Sequence, residues 1–168
     1  MSPAPDSARG MLRHTLATLA YRAEKVLRDP PRGFAELRVD PTARTPLELV
    51  GHLGDLLEWA QTLVRGDAKW KASSVGEWDN DLARFFGALA RLDELLASDA
   101  ALSGTPEQVF QGPIADAFTH VGQLALLRRC GGSPVKPESF ARAEIATGRV
   151  GRDQSGNRKE FEGDASAK

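Results

Sequence analysis

The sequence predicts an all-α protein, a four-helix bundle, and three features carry that expectation. Apolar residues recur every three or four positions through four long stretches, the period of a helix that buries one face. Thr-Pro followed by Glu or Gln, a helix-start signature, occurs twice, at 45–48 and 105–108. No run of apolar–polar alternation, the mark of a half-buried strand, competes with the helical period.

Residues 1–6, with Pro3 and Pro5, read as a loose start. From Ser7 onward, Met11, Leu12, Leu16, Leu19, Ala20, Ala23, Val26 and Leu27 draw one face of a first helix, stopped by Asp29-Pro30-Pro31. Residues 32–44 have no period and form a connection. Thr45-Pro46-Leu47-Glu48 then opens a second helix as a capping box with proline at the first helical position. Its face is Leu49, Val50, Leu53, Leu56, Leu57, Ala60 and Leu63, and Gly66 is its expected stop. A loop containing Trp70, Ser73, Ser74 and Gly76 leads to a third helix over 79–98, with Leu82, Phe85, Phe86, Leu89, Leu92, Leu95 and Leu96 inward.

Thr105-Pro106-Glu107-Gln108 repeats the cap, and Gly112-Pro113 is expected to break what it starts. The prediction is a short turn, then a fourth helix from Pro113 to Cys130, ended by Gly131-Gly132 and Pro134. Arg128 and Arg129 suit its last turn, where the helix dipole favours cations. Phe140 to Ile145 reads as a short C-terminal helix. The remainder, rich in Gly, Ser, Asp and Lys, reads as a disordered tail. One domain is thus expected over 1–150, with the tail over 151–168.

Bulk properties narrow the function classes. Apolar residues make up 41% and charged residues 27%, ordinary for a globular protein, and the formal net charge is -1, which disfavours nucleic-acid binding. In the tail, Arg149, Arg152, Arg158 and Lys159 are largely cancelled by Asp153, Glu160, Glu162 and Asp164. Residues 11–21 mix Arg13, His14 and Thr15 into the apolar positions, unlike a signal peptide, and no stretch reaches the ~18 apolar residues of a membrane span. The single cysteine, Cys130, allows no intrachain disulfide. A cytoplasmic protein is expected.

Two of the three histidines fall inside core helices. His120 follows Asp116 by four residues, so a carboxylate oxygen and an imidazole nitrogen share one helix face. If the second helix packs against the fourth, His52 completes a set of two histidines and one carboxylate. Such a set suits Fe(II), Mn(II), Ni(II) or Zn(II) and leaves coordination positions open. The bland alternative is an ordinary surface or capping pair.

The stretch from Asp116 to Pro134, with His120-Val-Gly122-Gln123 at its heart, resembles the last bundle helix of the DinB-like superfamily. That family's pattern there is His-x-x-x-His-x-Gly-Gln, both histidines binding metal, and a third histidine comes from the second helix, where Leu49-Val-Gly-His52 stands here. Asp116 replaces the first histidine, and aspartate is itself a competent ligand. The resemblance covers about residues 8–146. It implies a DinB-like four-helix bundle, a divalent metal (Ni, Zn, Fe or Mn) held by His52, Asp116 and His120, and a homodimer.

Around this trio the roles are open. Asp55 and Glu58 are further ligands, acceptors for an imidazole N–H, or solvated helix charges. Gln123 orients a ligand or serves helix packing beside Gly122, whose missing side chain would let a neighbouring helix approach. Trp59, Trp70 and Trp78 line a pocket mouth, fill the core or cover a dimer face. Phe34, Trp70 and Phe110 are surplus to the clearest core stripes. His14 is solvated or partly buried, and Cys130 lacks the positive environment of a nucleophile. No Ser-His-Asp order, glycine-rich phosphate loop or Cys-x-x-Cys pair occurs, and Ser133 sits in a turn without a base. Members of the resembled family include thiol-dependent transferases, isomerases and metal-dependent hydrolases, so the implied function is a metal that activates a water or a low-molecular-weight thiol. The rival is a non-catalytic dimeric scaffold or stress-associated binding protein. A solvent-open cleft above the trio separates the two.

Overall fold

The computed structural model describes residues 5–162 and is all-α. Helix α1 spans Pro5–Leu27, α2 Pro46–Arg65 and α3 Trp78–Ala97. A fourth helical stretch has three parts: α4, Pro106–Val109; a π-helical turn, Phe110–Ile114; and α5, Ala115–Cys130. No β-strand is formed among the described residues, where one isolated bridge joins Glu138 to Glu160. No helix there is long and apolar enough to cross a membrane.

The caps that define α2 form as their residues dictate. Thr45 accepts a hydrogen bond from the Glu48 N–H at 3.2 Å, and Glu48 accepts one from the Thr45 N–H at 2.6 Å. Gly66 ends the helix at φ 84°, a left-handed conformation that only glycine adopts without strain. Between these ends Leu49, Val50, Leu53, Leu56, Leu57 and Ala60 are buried, meeting Leu82, Phe85, Leu89 and Leu92 of α3 and Leu16, Leu19 and Ala20 of α1 in one core. Truncating any one of these leucines to alanine would cost about 2–5 kcal/mol. Helix α2 packs chiefly on α3 and also on α5, while α1 packs on α3 and α5.

Four expectations need correction. Gly112-Pro113 does not break the fourth helix, which runs from 106 to 130 through the π turn. In that turn the Ala115 N–H donates to the Phe110 carbonyl, five residues back. The wider turn takes in a proline that has no N–H to offer and whose ring would crowd an α-helical carbonyl. Met11 lies at the margin of the α1 stripe and faces solvent, whereas Phe34 is buried in the core instead of spare. The helix expected at 140–145 is a single 3-10 turn, Phe140–Arg142.

The tail is the fourth correction. Residues 163–168 lie outside the described residues, but 151–162 are tied to α1. Arg158 pairs with Glu24, and Glu160 with Lys25 at 2.8 Å. Lys25 also donates to the buried Glu138 at 2.6 Å, and the Tyr21 hydroxyl donates to the same carboxylate. Val150 is buried beside this clasp. Arg158 and Glu160 of the tail thus find their opposite charges on α1.

Candidate metal centre

Helices α2 and α5 bring His52, Asp116 and His120 together. His52 Nε2 lies 3.7 Å from Asp116 Oδ2, and His120 Nε2 lies 3.4 Å from Asp116 Oδ1. One ligand atom from each of the three falls within 4.8 Å of the other two. The two imidazoles meet edge to face, centroids 4.8 Å apart. Donors each ~2.1 Å from a common ion at tetrahedral angles stand ~3.4 Å apart, so the carboxylate-to-imidazole spacings fit a first-row divalent ion. Two nitrogens and one oxygen are also the donor chemistry such an ion takes.

The groups around the trio fix its protonation and orientation. Burial lowers the His52 pKa, and the charges of Arg44 and His120 lower it further against the opposing pull of Asp116 and Asp55. His52 is therefore a neutral imidazole near pH 7, the form that ligates metal. His120 Nδ1 lies 2.9 Å from Gln123 Oε1. With the amide oxygen as acceptor, Nδ1 carries the proton and Nε2 keeps its lone pair toward Asp116. Of the two roles open to Gln123, the structure supplies the orienting one.

Behind His52 stands a cross-brace from α3. The Arg84 guanidinium donates to the Gly51 carbonyl at 2.6 Å and to Asp55 at 2.8 Å, and it reaches Glu58 at 3.3 Å and Asp81 at 3.4 Å. A Cβ on Gly54 would stand 2.7 Å from the Arg84 Cζ, so this close passage depends on glycine. Asp55 also accepts the Ser73 N–H at 3.2 Å. Asp55 is buried against Arg84, Glu58 is half-exposed beside the same guanidinium, and neither joins the trio. Gly122 does not serve close helix approach: an added Cβ there would meet nothing within 4 Å. Gly54 instead makes room for the Arg84 side chain, and its signal in the sequence is no more than a glycine next to Asp55.

The trio opens on solvent. A cleft of about 560 Å³ is lined by His52, Asp116 and His120 together with Val39, Arg44 and Leu126. A second cleft, on the other side of the 39–44 loop, shares His52, Thr42, Ala43 and Arg44 and is bounded by Trp70. Trp70 stands edge-on to His52 at 5.6 Å and to Trp59 at 5.7 Å, while Trp78 packs edge-on against Phe34 at 6.0 Å. The tryptophans thus divide between site wall and core. Trp59 in turn lies against Gly112, so the π turn abuts the same wall. Cys130 and His14 are exposed and line neither cleft. Arg44 and Gln123 complete the surroundings; Arg44, in an aperiodic connection, had no pattern to single it out.

Set against known proteins, the chain matches no family profile, no curated protein and no solved structure. The chemistry of the centre therefore rests on these residues alone.

Proposed function

We propose that this protein is a divalent-metal-dependent enzyme, a four-helix bundle of the DinB-like kind, with His52, Asp116 and His120 as metal ligands. One observation carries the reading: three ligand atoms from two helices converge within 4.8 Å and line one open cleft. Three protein ligands leave room for a water or substrate, as a catalytic ion requires. The ion's contribution would be to lower the pKa of a bound water or thiol and supply a nucleophile at neutral pH. Gln123 would orient His120 through the contact to its Nδ1.

Between the two reaction types, thiol-dependent transfer has the better support. Hydrolysis calls for a general base beside the bound water, and Asp55 and Glu58 are both engaged with Arg84. Asp116, a ligand in this reading, is the one carboxylate among the described residues lining the first cleft. A low-molecular-weight thiol is accordingly the proposed co-substrate. The open cleft weighs against a vestigial, non-catalytic site. We further propose a cytoplasmic homodimer, for which the exposed Met11 and Phe110, bordering one apolar surface of α1 and the π turn, offer a face.

The test is elemental analysis of gently purified, tag-free protein beside His52→Ala and His120→Ala. Near-stoichiometric ion in the wild type, lost in both variants, is the expected result. Protein that stays metal-free after incubation with Ni(II), Zn(II), Mn(II) and anaerobic Fe(II) overturns the reading. Light scattering of the same preparation tests the dimer.

A further inference from the structure

The loop leading into α2 is held in place by Arg38 and Asp40. Asp40 accepts the Thr42 N–H at 2.8 Å, closing a tight turn. Arg38 donates to the Ala43 carbonyl and reaches both oxygens of Glu48, at 3.1 and 3.2 Å. Glu48 meanwhile closes the capping box on Thr45, and the Leu47 N–H donates to the Ala35 carbonyl at 3.0 Å. The backbone on both sides of Arg44 is thus fixed by its neighbours. Arg44 itself is exposed and makes no hydrogen bond or ion pair among the described residues.

Its position gives that free guanidinium a use. Arg44 lines both clefts that meet at His52. It lies close enough to His52 to act on that imidazole electrostatically. In the second cleft the other charged side chains are paired, Arg38 with Glu48 and Asp55 with Arg84. In the first, Asp116 is the sole carboxylate and belongs to the trio. With a divalent ion in the trio, the cleft would hold one anionic side chain against the ion and Arg44, a net positive field beside the apolar side chains of Val39 and Leu126.

We infer that Arg44 is the specificity residue of this site and that the substrate is a small organic carboxylate. Its carboxylate pairs with the Arg44 guanidinium, and its apolar portion lies along Val39 and Leu126 toward the trio. The planar fork of a single arginine matches a carboxylate in two parallel hydrogen bonds. The inference rests on the metal-centre reading for the direction in which the substrate points, but not for the pairing itself.

The test titrates isotopically labelled full-length protein, metal-free and Zn(II)-loaded, with 4-methylpentanoate and with its neutral near-isostere 4-methylpentanamide. Binding is read in every variant from the NMR shifts of the backbone amides at 39–44, and in the wild type also from the Arg44 Nε–H, assigned by its disappearance in Arg44→Gln. The wild type is expected to prefer the acid by about fivefold even without metal, the scale of a solvent-facing ion pair. Arg44→Lys should keep a preference and Arg44→Gln should lose it. A wild type without preference, a preference unchanged in Arg44→Gln, or shifts confined to other arginines would overturn the inference. Failure of the metal reading shows separately, as wild-type protein that takes up no Zn(II) while the acid preference of the metal-free protein persists.

Discussion

Gln123 lies one turn beyond His120 on α5, and its Oε1 sits 2.9 Å from the His120 Nδ1, on the far side of the ring from Asp116. A ligating histidine whose other nitrogen has no acceptor is free to rotate and to change tautomer. Removing such an acceptor usually costs 10- to 100-fold in metal affinity. Gln123→Ala should therefore weaken metal binding by about tenfold at unchanged thermal stability of the metal-free protein, because Gln123 is exposed. Competition against a chromophoric chelator measures the affinity. Equal affinity in the variant would show that the contact orients nothing.

Trp70 should report the ion directly. Its ring stands edge-on to His52 at 5.6 Å, nearer the trio than Trp78, which packs on Phe34. Loading with Ni(II) or Co(II) is expected to quench tryptophan emission, and Trp70→Phe should remove most of that quenching while metal content stays the same. Quenching that survives in Trp70→Phe places the ion elsewhere.

The α3 brace predicts a stability effect outside the metal centre. Arg84→Met leaves the buried Asp55 without its 2.8 Å partner, and an orphaned buried charge costs about 3 kcal/mol. Gly54→Ala should act in the same direction by about 1–2 kcal/mol, since its Cβ displaces the same guanidinium while gaining a little helix propensity. Urea denaturation of both variants gives the values. An Arg84→Met protein as stable as the wild type would mean that the brace contributes no net stability.

The clasp on α1 should loosen in acid. Burial alone would raise the Glu138 pKa, but hydrogen bonds from Lys25 and Tyr21 outweigh it and hold the carboxyl below its ordinary value. A carboxylate with a lowered folded pKa stabilises fully above its unfolded value of about 4.3 and loses that contribution as pH falls through the folded value. Tyr21 bounds the other side: burial and the Glu138 hydrogen bond push its phenol up to about 12. Its contribution is whole below about pH 10 and fades as pH rises toward 12. Hydrogen-exchange protection across 134–162, taken relative to the intrinsic rate at each pH, should thus fall below about pH 4, and Glu138→Gln should flatten that dependence. An unchanged acid limb in Glu138→Gln would assign it to other carboxylates.

What the sequence revealed follows how local each signal was. The α2 boundaries were legible because Thr45, Pro46, Glu48 and Gly66 each act within four residues of their own position. The Asp116–His120 pair was legible for the same reason, as a spacing of four on one helix. His52 joins them only because α2 packs on α5, and that step needed an assumption about packing. The Lys25–Glu138 and Arg158–Glu24 pairs link residues more than a hundred positions apart, and no periodicity encodes them. Asp55 and Arg84 sit on different helices, so nothing local in the sequence pointed to their pairing. At Gly112-Pro113 the local rule itself misled, because it assumes an α-helical turn and the chain makes a wider one.

That wider turn has an angular consequence. A π turn accommodates one residue more than the α-helical register would, and each residue advances a helix by about 100°. Upstream the phase is pinned by Val109 in the core and by the Thr105 cap; downstream it is pinned by Ala117, Val121 and Leu124. Without the extra residue, Asp116 and His120 would swing about a quarter-turn away from His52, or Val109 would leave the core. The single supernumerary position within 110–114 is thus a phase adjuster, letting one continuous rod satisfy two azimuths: an apolar one at its start and, further along, the one that turns Asp116 and His120 toward His52.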